Sequence, residues 1–385
     1  MANTKKTIRL FKPSFGKEEI KAIQKIFKKS WIGYGSEVKK FENAWSKYIG
    51  IKYSVGVTSC SAALHIALAS KKFKKKKKVL IPAMTFTATA AAALYNDLEP
   101  IFVDINEYDL NMNFQDLKKK YTKDCVAVIP VHVGGQPCEM EKIVPWAKKK
   151  KLLVIEDCAH TAGGIYRGKM LGTWGDISCF SFEEKKMLTT GDGGMICTNN
   201  KNLAGKFRVL SFHGWNKDPW SRHKKSLSKK NLSEKHWYYQ IKELGFKYNM
   251  NDLMATIGLV QLKKLNLFNL KRNNAMNKYL TEIKKCKIIK SYITTQYKNI
   301  AYWMFAVRLK KRDKLISFLK ERGIATSVYW IPVPLHPLYK KFKSHIPRTK
   351  KIWKELVTLP LFTDIKPQEI NYTIKSLKEF DKKYS

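Results

Sequence analysis

No apolar run in this 385-residue chain approaches the roughly 18 residues that a bilayer-spanning helix needs, the longest candidate lying near 83–94. The opening residues, MANTKKTIRLF, hold no apolar core of a signal peptide, so a cytoplasmic protein with no membrane partner is expected. Cysteine is sparse: seven residues, at positions 60, 125, 138, 158, 179, 197 and 286, odd in number and without a CxxC pair. That spacing supports neither a disulfide framework nor a metal site, and most of these thiols lie in apolar runs where a buried, reduced side chain is expected. Internal repeats and low-complexity domains are missing as well.

Acidic residues are also scarce, 31 against 74 Lys and Arg, which leaves a formal net charge of +43. Such an excess invites a nucleic-acid partner. The charge, however, is nearly all lysine and is spread along the whole chain, with local runs at 71–78 and 148–151. Arginine, the better residue for bidentate contacts to bases and phosphates, is scarce. No zinc-finger, RNA-recognition or basic-zipper pattern occurs. No nucleic-acid partner is therefore expected. A lysine-biased coding background accounts for the composition, and the positive field speeds capture of an anionic substrate without bearing on the fold.

What is present is a large core and an alternating pattern. The length allows one large domain and a smaller one. Residues 15–29 place apolar side chains at helical spacing, a second helix follows WIGYG, and KYSVGVTS reads as a strand. TSCSAALHIALA is a strand-to-helix junction; VLIPAMTFTATAAAAL is a strand, a loop and an alanine-rich helix; PIFVDI, CVAVIP, LLVIED and ISCFSF are further buried strands. Strands alternating with helices argue for an α/β fold with a mostly parallel sheet. The long segment from Phe212 to Gln240, polar, aromatic and rich in lysine, reads as a loop. Beyond about residue 265 come a helix, strands near IAYWMFAVRL and the helix RDKLISFLKERG, which make a smaller C-terminal α+β domain.

Three places carry chemistry. The stretch ISCFSFEEKKMLTTGDGGM puts Lys185 and Lys186 at the mouth of a buried strand, where lost hydration lowers an amine pKa and frees it to attack a carbonyl carbon. VIEDCAH ends another strand in Asp157, followed by His160; on residue type alone these read equally as a helix cap and a core histidine. TSCSAA opens a helix with small residues, a place where free N–H groups and the helix dipole bind an anion, or where Ser59 or Ser61 simply caps the helix.

Together, VIEDCAH, GDISCFSF, the lysine and TTGDGG resemble the DegT/DnrJ/EryC1/StrS family of sugar aminotransferases, from about Leu10 to the C-terminus. The resemblance implies the aspartate-aminotransferase type of fold (PLP-dependent transferase type I), with a large PLP-binding domain over 1–264 and a small domain over 265–385. It implies pyridoxal 5′-phosphate as cofactor, a nucleotide-sugar substrate, glutamate as donor, and a homodimer with shared active sites. Lys186 takes the place of the Schiff-base lysine. Asp157 matches the carboxylate that keeps the pyridine nitrogen protonated, and His160 lies near the ring's 3′ oxygen. Phe86, in T-F-x-A-T, matches the ring that stacks on the pyridine. Ser61, the Ala62 backbone and Ser181 match the phosphate contacts, although Cys60 stands where the family usually has glycine. Lys247 stands at the asparagine that reaches across the dimer to the partner's phosphate, with Asn249 close by. Trp31, Tyr34, His213, Tyr329 and His336 are implied on the substrate side, with Trp237 and Tyr238 near the sugar nucleotide. Glu183 and Glu184 depart from the usual His-Pro pair. TTGDGG looks more like the branch that aminates carbon 4 of a 4-keto-6-deoxy hexose than the 3-amino branch, and Lys186 in place of histidine argues against the dehydratases of the family. UDP, dTDP and GDP all remain open as the nucleotide.

Overall fold

In the computed structural model the described residues are 7–29, 31–75, 77–226, 237–291 and 299–385. Strands form where apolar and β-branched residues run together: β1 (Tyr53–Val57), β2 (Lys78–Pro82), β3 (Glu99–Val103), β4 (Cys125–Val128), β5 (Leu153–Asp157), the two-residue hairpin strands β6 (Ile165–Tyr166) and β7 (Lys169–Met170), β8 (Ile177–Ser181) and β9 (Gly194–Thr198). Seven of them make one sheet in the order β1-β9-β8-β5-β4-β2-β3. Every neighbouring pair is parallel except the two that β9 makes, so a single strand runs against the rest.

Every residue of β8 and β9 is buried, as expected of strands covered on both faces. Side chains alternate between the two layers. Ile177, Cys179 and Ile196 join the core under α3 (Cys60–Ala69) and α4 (Thr87–Leu94). Phe180, Phe182, Met195 and Cys197 face the other way, onto Val38, Phe41 and Trp45 of α2 (Ser36–Ile49). Because the strands are parallel, the carboxyl ends of β1, β2, β5 and β8 fall along one edge, where open α/β sheets place their ligands.

Gly194 decides how closely α3 approaches that edge. A Cβ there would lie 2.5 Å from the Ser59 carbonyl carbon and 2.7 Å from the Cys60 nitrogen, a distance that backbone atoms do not yield. Gly194→Ala is expected to cost about 2 kcal/mol through overpacking, read from the midpoint of urea denaturation.

Residues beyond the large sheet build a three-stranded antiparallel sheet, β10 (Lys290–Ser291), β11 (Phe305–Arg308) and β12 (Leu356–Leu359), backed by the helices Arg312–Glu321 and Pro367–Tyr384. The expected boundary between 264 and 265 falls inside one 32-residue helix, Asp252–Ile283. Nothing breaks its helical spacing: Ala255 and Leu265 pack in the core with α2, while Ala275, Met276, Tyr279 and Leu280 pack with Leu377 and Phe380 of the C-terminal helix. One rod therefore serves both cores. The segment expected to be a loop, 212–240, contains the helix Pro219–Ser226. The Asp218 carboxylate accepts from the Ser221 N–H at 2.7 Å and proline takes the first helical position, a start signal already written in DPWS. Residues 227–236 of that segment lie outside the described residues. Among the described residues no helix is long and apolar enough to cross a membrane.

Candidate active site

The carboxyl edge of the sheet opens into a cavity of about 290 Å³. The N-cap and first turn of α3 supply Ser59, Cys60 and Ser61, the start of α4 supplies Phe86 and Thr89, and the end of β5 with the turn after it supplies Asp157 and His160. Ser181 closes β8, and the turn after it adds Glu183, Lys185 and Lys186. Trp303, Tyr329 and Trp330 enter from the C-terminal part of the chain.

The turn that carries Lys186 is built by its own sequence. The Phe182 N–H donates to the Gly193 carbonyl at 2.8 Å and the Thr190 N–H to the Phe182 carbonyl at 2.9 Å, extending the β8–β9 hairpin. The Thr189 hydroxyl donates to the Phe182 carbonyl at 3.1 Å and accepts from the Gly191 N–H at 3.0 Å. The Lys186 N–H donates to the Glu183 carbonyl at 3.0 Å, so the side chain leaves from a closed turn. Burial pulls the Lys186 amine down to about 8, against the opposing pull of Glu183 and Asp157. Lys185 behaves otherwise: it is exposed and pairs with Glu183 at 3.6 Å and Glu184 at 3.8 Å. The two adjacent lysines are thus separated by hydration.

Asp157 is buried at the floor. Its Oδ2 accepts from the Thr89 hydroxyl at 2.9 Å and its Oδ1 from the Ala159 N–H at 3.1 Å. Burial pushes its carboxyl up; the Ala159 and Thr89 donors and the Lys186 charge oppose that rise. The Cys60 sulfur lies 3.9 Å from Oδ1 and 3.5 Å from the Cys179 carbonyl, and burial holds the thiol neutral. His160 is held well below the usual histidine range, first by burial and then by the Lys186 charge, so its ring is neutral. Its buried Nδ1 has no hydrogen-bond partner among the described residues.

These groups fit pyridoxal phosphate. A buried carboxylate short of positive charge suits a cationic ring nitrogen, and an orphaned imidazole nitrogen suits a ring substituent. The first N–H groups of α3, which have no carbonyl one turn earlier, suit a phosphate. The Ala62 N–H, expected among the phosphate contacts, donates here to the Ser59 hydroxyl oxygen at 3.1 Å, because Ser59 caps the helix. Phe86 remains 53% exposed, with no ring contact among the described residues.

Ser61, Phe86, Asp157, His160, Ser181, Lys186 and Tyr329 are thus brought to one cavity, whereas the other expected residues do not line it. Trp31 stacks on His223 at 4.7 Å and donates its indole N–H to the Tyr34 carbonyl. Tyr34 and Asn249 line a different cavity, with Arg208, Trp215 and Asp218. Lys247 donates to Asn249 Oδ1 at 2.7 Å and lies 4.4 Å from the centre of the Phe212 ring. His213 adjoins Phe212, His336 lies on the turn between two short 3-10 helices, and Trp237 and Tyr238 are exposed. Conversely, Thr89, Trp303 and Trp330 line the site without having been legible in the chain. For Thr89 a signal existed, since it follows Phe86 in T-F-x-A-T by less than one helical turn.

His132, Glu156 and Cys158 also cluster beneath β5. Their ligand atoms are largely spent. His132 Nδ1 accepts from the Cys138 N–H and Nε2 donates to Glu156, whose oxygens also accept from the N–H groups of Gly172, Trp174 and Gly175. The cluster pins the loop before β8 rather than presenting a metal centre.

With this geometry in place, comparison with known proteins is direct. Residues 13–378 match the sequence model of the DegT/DnrJ/EryC1/StrS aminotransferase family. The chain is 34% identical over 382 residues to the spore coat polysaccharide biosynthesis protein SpsC of Bacillus subtilis, covering 96% of each. It is 31% identical over 380 residues to GDP-perosamine synthase of Escherichia coli O157:H7, covering 97% of this chain and 99% of that one. Among solved structures, the PMP form of Spr1654 from Streptococcus pneumoniae superposes with a TM-score of 0.89 at 26% identity, over 98% of this chain and 99% of that one.

Proposed function

The chain belongs to the DegT/DnrJ/EryC1/StrS family of pyridoxal-phosphate-dependent sugar aminotransferases, and from that premise we propose that it moves an amino group from glutamate to a nucleotide-linked 4-keto-6-deoxy hexose. The observation that carries this reading is the convergence of one dehydrated amine, Lys186, and one buried carboxylate, Asp157, on a single cavity.

When bound, pyridoxal phosphate supplies an aldehyde carbon that carries the amino group and a ring that withdraws electrons from the bond being broken. In our reading Lys186 would hold the cofactor at rest, and its Nζ, when free, would move a proton at the donor's α-carbon and, in the half-reaction with the keto sugar, at the former carbonyl carbon. Asp157 would keep a proton on the ring nitrogen, Phe86 would cover the ring, and neutral His160 would be a partner for the ring oxygen. Ser61, Ser181 and the α3 N-terminus would hold the phosphate. Trp303 and Trp330 wall off water on the side of the small domain, strengthening each charge interaction inside.

Lys247, Asn249, Trp31, Tyr34 and His213 lie away from this chain's cavity, and we assign them to the neighbouring site of a homodimer, which predicts the mass of two chains in solution. Carbon 4 is favoured by the likeness to GDP-perosamine synthase together with TTGDGG after the lysine. The test is optical and then chemical. The purified protein is expected to show a visible cofactor band that bleaches with glutamate and returns with the correct keto sugar nucleotide, and NMR of the product locates the new amino group. A band that ignores glutamate defeats the donor assignment, and an amine on carbon 3 defeats the regiochemistry.

A further inference from the structure

Trp303 reaches the cavity just ahead of β11 and is 3% exposed. Its backbone N–H donates to the Gly134 carbonyl at 2.9 Å, and its own carbonyl accepts from the buried Arg272 guanidinium at 3.3 Å. The indole N–H donates to the Lys185 carbonyl at 2.9 Å. Three rings lie nearly parallel to the indole, Phe11 at 5.2 Å, His160 at 4.0 Å and Trp330 at 6.0 Å between centroids. The indole is therefore fixed, and it is fixed to the peptide that immediately precedes Lys186. The Lys186 Nζ lies 4.2 Å from the centre of that indole.

We propose that Trp303 is a positioning residue for Lys186, its face seating the ammonium whenever the lysine is not bonded to the cofactor. The proposal rests on the reading of Lys186 as the cofactor lysine. A transaminase lysine is free for part of each cycle, and then it must both wait within reach of the reacting carbons and carry a proton. Four flexible methylenes give it no reason to stay, and burial disfavours the protonated form it must adopt. A tryptophan face answers both needs, because cation–π attraction is strongest with indole and grows as water is removed. The other charged groups that act on Lys186 are Glu183 and Asp157 on the favourable side and Lys185 on the unfavourable one, with neutral Cys60 and neutral His160 beside it. Glu183 is already drawn to Lys185, and Asp157 is committed to Thr89 and Ala159. The indole is the cavity wall left over for the amine.

The experiment measures the free lysine directly. In enzyme loaded with pyridoxamine phosphate, Lys186 is unbonded, and competitive labelling with acetic anhydride across pH, read by peptide mass spectrometry, gives its titration midpoint. The wild type is expected to titrate below an ordinary lysine, in the direction that burial sets. Trp303→Leu should lower the midpoint by about one unit, and Trp303→Phe, which keeps a weaker face, by less. Tetrafluorotryptophan at position 303 keeps the shape and the N–H but drains the ring of its charge; it should behave like Trp303→Leu, and it guards against a leucine variant that fails to fold. The acidic limb of the half-reaction with glutamate should move in parallel. A midpoint unchanged by fluorination overturns the proposal, since packing alone predicts that result. Borohydride labelling of the same proteins loaded with pyridoxal phosphate separates the two levels: a label on another lysine removes the functional reading, whereas a label on Lys186 with an unmoved midpoint removes only the role of Trp303.

Discussion

Replacing Lys186 with methionine is expected to abolish amino transfer, by at least about 10⁴-fold, while making the cofactor-free protein more stable. The loss follows because no other amine in the cavity is dehydrated: Lys185 is exposed and paired with Glu183 and Glu184. The gain follows from the same burial. Lys186 titrates at about 8 in the fold against 10.5 for a free lysine, so the unfolded chain binds a proton that the folded chain gives up between those values. Below pH 8 the full penalty is present, about 2 kcal/mol after allowance for partial hydration, and it fades as pH rises toward 10.5. Methionine keeps the length of the side chain and removes the charge. Urea denaturation of both proteins at pH 7 and pH 10.5 should therefore show a gap at the first and almost none at the second. Turnover surviving in the variant, or a borohydride label that persists on another residue, would place the reactive amine elsewhere.

The carboxyl edge of the sheet was legible because its parts are local. Asp157 follows a run of β-branched residues by one step, and Lys186 is separated from β8 only by a turn whose threonines and glycines can be counted. Short-range periodicity carries that information. Trp303 and Trp330 carry none of it: one stands in IAYWMFAVRL, which reads as a strand, the other in a proline-rich irregular stretch, and only tertiary packing turns them toward Lys186 and His160. The expected boundary near 265 lies within a continuous helix: the chain from Asp252 to Ile283 contains no proline and keeps helical spacing, so the backbone runs unbroken from one core to the other. At Ala62 the sequence offers two local readings, anion binding and capping, and the Ser59 hydroxyl takes up the N–H as a cap. Trp31, Tyr34, His213 and His336 on the substrate side, and Lys247 and Asn249 at the phosphate, were assigned through a likeness to the family rather than through local pattern; of the substrate-side set only Tyr329 lines the cavity that holds Lys186.

Asp157→Asn is expected to slow amino transfer by about 10² to 10³-fold, the usual loss when one preorganised charge interaction is removed from a closed site. Asparagine has the same shape. Its oxygen can keep the Ala159 N–H, now at 3.1 Å, while its amide faces Thr89, whose hydroxyl can turn from donating to accepting. Only the negative charge disappears, so the variant tests charge rather than packing. Stability should not suffer. Burial already pushes the Asp157 carboxyl up, so the folded wild type holds its proton to higher pH than the unfolded chain does. The cofactor-free asparagine variant should therefore gain on the wild type as pH rises through and above the ordinary aspartate range. Thr89→Val is the matching control, since it removes one hydrogen bond to Oδ2 and leaves the charge; about a tenfold loss is expected. A cofactor analogue methylated on its ring nitrogen separates the explanations further. Its fixed positive charge needs no carboxylate to hold a proton, so it should recover part of the rate in Asp157→Asn and none in Lys186→Met. Stopped-flow absorbance with glutamate reads every one of these rates. Wild-type speed in Asp157→Asn with ordinary pyridoxal phosphate would mean that the buried carboxylate serves the fold of the β5 edge and not the electron sink.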